Sequence, residues 1–174
     1  MKKYYAGIGA RQTPPDVLSV MRDLGSKLEN DGWILRSGGA KGADSAFEAG
    51  VKNPTSKEIF IPGRSFNGHY SNQLGVIDAT QLASFDRALA TVNQYHPAPD
   101  RLSPFARNLM ARNAMQMQGI DMSTPSKLAV LWTPNAQPVG GTGQAMRMAG
   151  DLGIVVRNLA DPLTYEKVLK YLNT

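Results

Sequence analysis

The chain has 174 residues, a formal net charge of +5 and no cysteine. A single domain of this length buries roughly 70% of its unfolded surface, and the lack of cysteine excludes disulfides, thiolate nucleophiles and cysteine-ligated metals. Apolar residues at 42% and charged residues at 19% match globular usage and argue against disorder, no apolar run approaches the roughly 20 residues that cross a bilayer, and Gly7, Gly9 and Arg11 interrupt the basic start "MKKYYAGIGARQ" before a signal-peptide core can develop.

One cytoplasmic domain over residues 1–174, without membrane association, is therefore expected. Its basic balance favours anionic partners without choosing among them. In chain order, "KKYYAGIG" (Lys2 to Gly9) reads as a strand. "PDVLSVMRDLGSKLENDG" then carries Val17, Val20, Met21, Leu24 and Leu28 at helical spacing, with Thr13 as the expected N-cap, proline in the first turn and Gly32 past the end. "WILRS" (Trp33 to Ser37) reads as a second strand, "ADSAFEAGV" as a short helix, and "KEIFIPG" as a third strand stopped by Pro62 and Gly63. "GRSFNGHYSNQLGVID" has neither period and is expected to form a long surface loop.

Two helices are expected around Thr80 to Gln94 and Ser103 to Gln118, parted by the turn-rich "HPAPDR". "KLAVLW" follows as a strand, "TPNAQPVGGTG" as a loop, "QAMRMAGDLG" as a helix, "IVVRNL" as a strand and "TYEKVLKYL" as a closing helix. Strands alternating with helices predict a Rossmann-like, doubly wound α/β fold, a mainly parallel sheet with helices on both faces. In such sheets ligands sit beyond the carboxyl ends of the strands, which directs attention to the loops after Ile8, Ser37, Ile61 and Trp132.

Two of those loops are rich in glycine. "SGGAKGAD" places Gly38, Gly39 and Gly42 ahead of a helix, where close backbone approach and free N–H groups suit a phosphate. Its spacing matches neither the dinucleotide fingerprint nor the P-loop, so a purely structural turn stands beside that reading. "VGGTG" (Val139 to Gly143) repeats the arrangement between a strand and a helix. Gly140, Gly141, Thr142 and Gly143 together with the first cluster can hold two ends of one nucleotide. Gly9, Ala10 and Arg11 in the first loop add a planar guanidinium suited to phosphate oxygens.

Lys41 either neutralises a phosphate or is solvated. Asp44 either complements the dipole of its helix or faces a ribose hydroxyl or base edge, since beside a phosphate it would be repelled. Of Arg101, Arg107 and Arg112, only Arg112 is a candidate for phosphate contact, the other two being read as solvated. His69 and His96 have no metal-ligand spacing around them, so no metal is expected and their roles are structural. Met110, Met115, Met117 and Met122 are read as core or interface filling.

The stretch from Gly7 to Gly50 resembles the nucleotide-binding core of the SLOG superfamily, which includes the SMF/DprA and Lonely Guy proteins. "PVGGTGQAMRMAGDLGIVVRNL" resembles that family's second glycine motif, and "ARNAMQMQG" its arginine-containing helix; residues 64–100 match least. The resemblance implies a nucleotide or nucleotide-like ligand, no further cofactor, and a homodimer.

It leaves the activity open. Lonely Guy proteins are phosphoribohydrolases with a P-G-G-x-G-T-x-x-E motif whose glutamate is catalytic; here Val139 stands at the proline position, Gln144 at the threonine and Arg147 at the glutamate, and Asn113 replaces a lysine after the family arginine Arg112. An enzyme of that kind would need Asp44 or Glu48 as its carboxylate with Arg112 orienting a phosphate. The DprA side fits "SGGAKGAD" and the pair Arg112 and Asn113 better, and would imply single-stranded DNA as partner, although no aromatic and basic interleaving of the kind that stacks single strands is present.

Overall fold

The computed structural model describes residues 1–174. The first half of the chain forms β1 (Lys3–Gly7), α1 (Pro15–Asn30), β2 (Trp33–Ser37), α2 (Ala43–Gly50) and β3 (Lys57–Ile61). A two-residue-stranded hairpin, β4 (Ser65–Phe66) and β5 (His69–Tyr70), then precedes β6 (Val76–Asp78). The second half supplies α3 (Phe85–Tyr95), α4 (Pro104–Gln118), β7 (Leu128–Leu131), α5 (Gly140–Leu152), β8 (Val155–Asn158) and α6 (Pro162–Leu172).

Six strands pair in the order β6-β3-β2-β1-β7-β8, and every pairing is parallel. The sheet is covered on both faces, as the expected Rossmann-like architecture requires. On one face α1, α2 and α6 bury Val17, Met21, Leu24, Phe47 and Val168 against Tyr5, Leu35 and Ile59. On the other α3, α4 and α5 bury Val92, Met115, Met117 and Met148 against Ala6, Phe60 and Leu131. Fully burying side chains of this size contributes about 1.5–3 kcal/mol each.

Local sequence explains most of the elements. The apolar stripe of α1 is buried at every expected position. Ser103 caps α4 by accepting from Ala106 N–H at 3.1 Å, and Asp161 caps α6 by accepting from Thr164 N–H at 2.9 Å. Arg36, in the middle of the sheet and only 2% exposed, pairs with Glu58 at 2.9 Å, donates to Thr124 O at 2.6 Å and lies over the Tyr4 ring. A charge taken out of water needs this many partners.

Four local expectations are corrected. Thr13 does not cap α1: its hydroxyl donates to Ala10 O at 2.6 Å, and Pro14 holds the cap position with no side-chain bond. Residues 63–78 are not a plain loop, since they hold the hairpin and β6, which pairs with β3. The helix expected from Thr80 begins at Phe85, after a single 3₁₀ turn over Ala79–Gln81. Arg107 is not freely solvated: it donates to Asn93 Oδ1 at 2.8 Å and to Pro99 O at 2.9 Å.

Candidate functional site

The order of strands fixes the location of the site. From β1 the chain winds outward through β2, β3 and β6, then returns to the other side of β1 to lay down β7 and β8. Successive connections leave β1 and β7 in opposite directions, which opens a crevice beyond their carboxyl ends. A cleft of about 860 Å³ lies there. Its walls come from the turn after β1 (Gly9 to Gln12), the turn into α2 (Ala40 to Gly42), the face of α4 carrying Arg112 and Gln116, and the entry to α5.

The second glycine cluster enters the cleft in a form the sequence did not predict. Gly140 to Gly143 are the first turn of α5, not a loop ahead of it. Val139 at the cap supplies no side-chain acceptor, and the N–H groups of Gly140, Gly141 and Thr142 bond to nothing in the chain; the ladder begins with Gly143 N–H donating to Val139 O at 2.9 Å. These three residues line the cleft, so free donors and the positive end of the helix dipole face it.

Gly38 is demanded by crowding rather than by ligand approach. A methyl group there would overlap Arg112 Nη1 and Gln116 Nε2. Gly42 sits at φ +93°, a conformation that L side chains rarely adopt, and turns the chain into α2.

The cleft floor holds a strained pair of charges. Arg112 is 5% exposed and Asp44 6%. Arg112 Nη1 donates to the carbonyl of Gly38 and lies 3.9 Å from Asp44 Oδ2, while Asp44 accepts from Ala40 N–H at 3.2 Å. Burial pushes the Asp44 carboxyl up to about 6, against the opposing pull of Arg112 and of the Ala40 and Gly38 amides, with Glu48 adding to the rise. Burial also lowers Arg112; Asp44 counters this and Arg11 reinforces it. Arg112 Nε and Gln116 Nε2 are buried and have no partner. Unpaired buried donors cost about 1–3 kcal/mol each, and here they belong to cleft-lining side chains one helical turn apart on α4.

Most candidate residues converge. Gly9, Ala10, Arg11, Lys41, Gly42, Asp44, Arg112, Gly140, Gly141 and Thr142 all line the cleft. Gly38, Gly39 and Gly143 do not. Glu48 is also outside it: the carboxylate pairs with Lys57 Nζ at 2.7 Å and His69 Nε2 at 2.6 Å, so it is not available to a ligand and is no catalytic candidate. Arg147, at the position of the Lonely Guy glutamate, also points elsewhere, its Nε donating to Tyr95 O at 2.9 Å. Gln144 is fully buried and ties α5 to α4 by donating to Met110 O at 3.0 Å.

Gln116, Phe66 and Asn67 line the cleft without having been singled out. Gln116 was findable as the residue four after Arg112, on the same helix face. The hairpin that carries Phe66 was findable from Asn67 and Gly68, the residue pair favoured by two-residue turns; both have positive φ, +47° and +79°.

Fold and cleft together define a parallel, doubly wound α/β protein with a glycine-lined crevice at its switch point, lined by three cations (Arg11, Lys41, Arg112) and one carboxylate (Asp44). No helix is long and apolar enough to cross a membrane. No family model matches the chain, and no curated protein and no solved structure is significantly similar to it.

Proposed function

We propose that the protein is a SLOG-type nucleotide-binding protein that takes a nucleotide or nucleotide-derived ligand in this cleft. The observation that carries the reading is the uncapped first turn of α5, whose three partnerless N–H groups face a crevice lined by Arg11, Lys41 and Arg112. Backbone donors at a helix N-terminus with cations nearby suit a phosphate. Asp44 opposes an anion at the floor, so the phosphate belongs at the α5 end and the sugar near Asp44 and Gln116, where a hydroxyl can both donate and accept.

The test is a thermal-shift and mass-spectrometry screen of the full chain against nucleoside monophosphates, NAD, ADP-ribose, cyclic nucleotides and short single-stranded DNA. A ligand at about 100 times its Kd stabilises by roughly 2.7 kcal/mol, which for a domain of this size raises Tm by about 5–10 °C. Stabilisation by at least one small nucleotide is the expected result. No shift with any of them sinks the reading, and a shift with the oligonucleotide alone, steeply dependent on salt, replaces it with a DprA-like single-strand binder.

A second reading, cleavage of an N-glycosidic bond, is favoured by one observation. Asp44 is a buried cleft carboxyl raised to about 6, a value suited to proton transfer near neutral pH. Release of a free base or sugar phosphate in the same screen, lost in Asp44→Asn, would establish it; an intact ligand after prolonged incubation would remove it.

A further inference from the structure

We propose that the β4–β5 hairpin is the wall that recognises a planar ring, so that the ligand of this cleft carries a nucleobase and is not a bare sugar phosphate, with Phe66 the residue against which the ring lies. The proposal rests on the nucleotide reading above and adds to it the class of ligand.

Phe66 is the only aromatic side chain lining the cleft. It is half-buried, one part of the ring packed against the core under α1 and α2, while the Arg112 guanidinium lies 5.1 Å from the ring centroid. Everything else about the hairpin is polar or solvent-facing: Ser65, Asn67, Gly68 and Tyr70 are exposed. With the Arg112 guanidinium over its ring, Phe66 offers its exposed edge to another π-system in edge-to-face contact, and the guanidinium adds a flat cation against which that ring can also lie.

The hairpin is held in register with the cleft rather than left as a loose flap. Asn67 and Gly68, both at positive φ, make the tight turn, and Ser65 pairs with Tyr70 and Phe66 with His69. His69 ties it to α2 through Nε2, 2.6 Å from Glu48 Oε2, and closes the hairpin on itself through Nδ1, 3.2 Å from Phe66 O. Glu48 is itself fixed by Lys57 at 2.7 Å. Asn67 Nδ2 donates to Gly39 O at 3.3 Å, tying the turn to the first glycine cluster. Asn67 lines the cleft, and its Oδ1 accepts no hydrogen bond within the chain, which leaves an acceptor for an exocyclic amine.

Size points the same way. A crevice of about 860 Å³ lies in the upper part of the range of roughly 300–1,000 Å³ that holds drug-sized ligands, more than a pentose phosphate fills.

The experiment compares ribose 5-phosphate with AMP, GMP, CMP and UMP by calorimetry on the wild-type chain, Phe66→Ala, Phe66→Leu and Phe66→Tyr. Melting temperature and circular dichroism establish that each variant is folded. Phe66→Leu keeps the apolar packing and lacks the π-face, so it preserves the test if Phe66→Ala does not fold. The expected result is at least one nucleotide bound roughly tenfold or more tighter than ribose 5-phosphate by the wild type. Phe66→Ala and Phe66→Leu should lose about ten- to a hundredfold for that nucleotide and nothing for ribose 5-phosphate, while Phe66→Tyr retains it. Equal losses for both probes, or none for either, overturn the ring-wall proposal, as does ribose 5-phosphate binding as tightly as every nucleotide; in that last case a phosphate site in the cleft survives. Failure of the wild type to bind any of the five probes overturns the ring-wall proposal, and the nucleotide reading falls with it only if NAD, ADP-ribose and the cyclic nucleotides fail to bind as well.

Discussion

Asp44 and Arg112 face each other across 3.9 Å at the floor of the cleft, and Arg112 spends the hydrogen bond of its nearest nitrogen on the carbonyl of Gly38 instead. The carboxylate is left with an attraction too weak to offset its burial, which is why its titration moves up to about 6. Between pH 4 and 6 the folded chain therefore holds a proton at Asp44 that the unfolded chain, titrating near 3.9, has released. Stability from this group is complete below about pH 4 and falls as the pH rises through 6. Asp44→Asn mimics the protonated form and escapes the loss. Its stability relative to wild type is expected to be nearly level at pH 4 and to grow in the variant's favour by roughly 2–3 kcal/mol at pH 7.5. Urea titrations at the two pH values measure this, and a difference that does not change with pH would refute the account of Asp44.

Glycines at the two clusters are expected to respond differently to a side chain. Gly38→Ala drives its methyl into Arg112 and Gln116, both held in the core of the cleft. Overpacking of that kind costs about 1–3 kcal/mol, so the variant should melt several degrees lower. Gly141→Leu meets Asn113 Nδ2 at 3.0 Å and the flexible end of Met110 at 3.3 Å, which can give way. It should fold with little change in Tm and yet fill the cleft beside α5. Retained nucleotide affinity in folded Gly141→Leu would place the ligand elsewhere.

The architecture was legible because each central strand announces itself as an apolar run between helices whose stripes recur every three or four residues. Val17, Val20, Met21, Leu24 and Leu28 show this most plainly, and all five are buried. The glycines pointed to the cleft because Gly42, Gly140 and Gly141 line it with bare backbone, although Gly38 in the first cluster owes its place to crowding by Arg112 and Gln116. What escaped was short or non-local. β6 has three residues and owes its existence to pairing with β3, which no local period records. Glu48 looked like a free carboxylate because its partners Lys57 and His69 lie 9 and 21 residues away. The N-terminus of α5 ran four residues earlier than expected because Gly140 and Gly141 are poor helix formers, and their place in the first turn follows from the cleft they face.

The anchoring of the hairpin by Glu48 yields a prediction independent of any ligand. Glu48→Gln keeps the shape but removes the charge that holds both Lys57 and His69. The hairpin has few other ties to the body of the protein, chiefly Asn67 to Gly39 and the packing of Phe66. Amide exchange in residues 65–71 should quicken by an order of magnitude or more, as expected when a local opening loses about 1.4 kcal/mol, while the strands β1, β2 and β7 keep their protection. Uniform quickening across the sheet would mean that Glu48 supports the whole fold and not the hairpin. Unchanged exchange everywhere would mean that the ion pairs contribute nothing to its hold.

Arg11 offers the cleanest separation of binding from folding. It is exposed, it forms no salt bridge, and its side chain donates to nothing in the chain, yet it lines the cleft close enough to Arg112 to lower that group's proton affinity. Removing it costs the fold no contact, so Arg11→Ala should melt within about 1 °C of wild type, in keeping with the small effect of most surface substitutions. Its loss should be felt by an anion. A charge-assisted hydrogen bond is worth about 1.5–3 kcal/mol, so the nucleotide that stabilises the wild type should bind roughly ten- to a hundredfold more weakly. Because a rim charge is screened within about 8 Å at physiological salt, the variant should also lose affinity less steeply as salt rises from 50 to 300 mM. Calorimetry at three salt concentrations measures both quantities. Unaltered affinity with an unaltered salt slope would remove Arg11 from the site and move the phosphate towards Lys41 and the turn into α2.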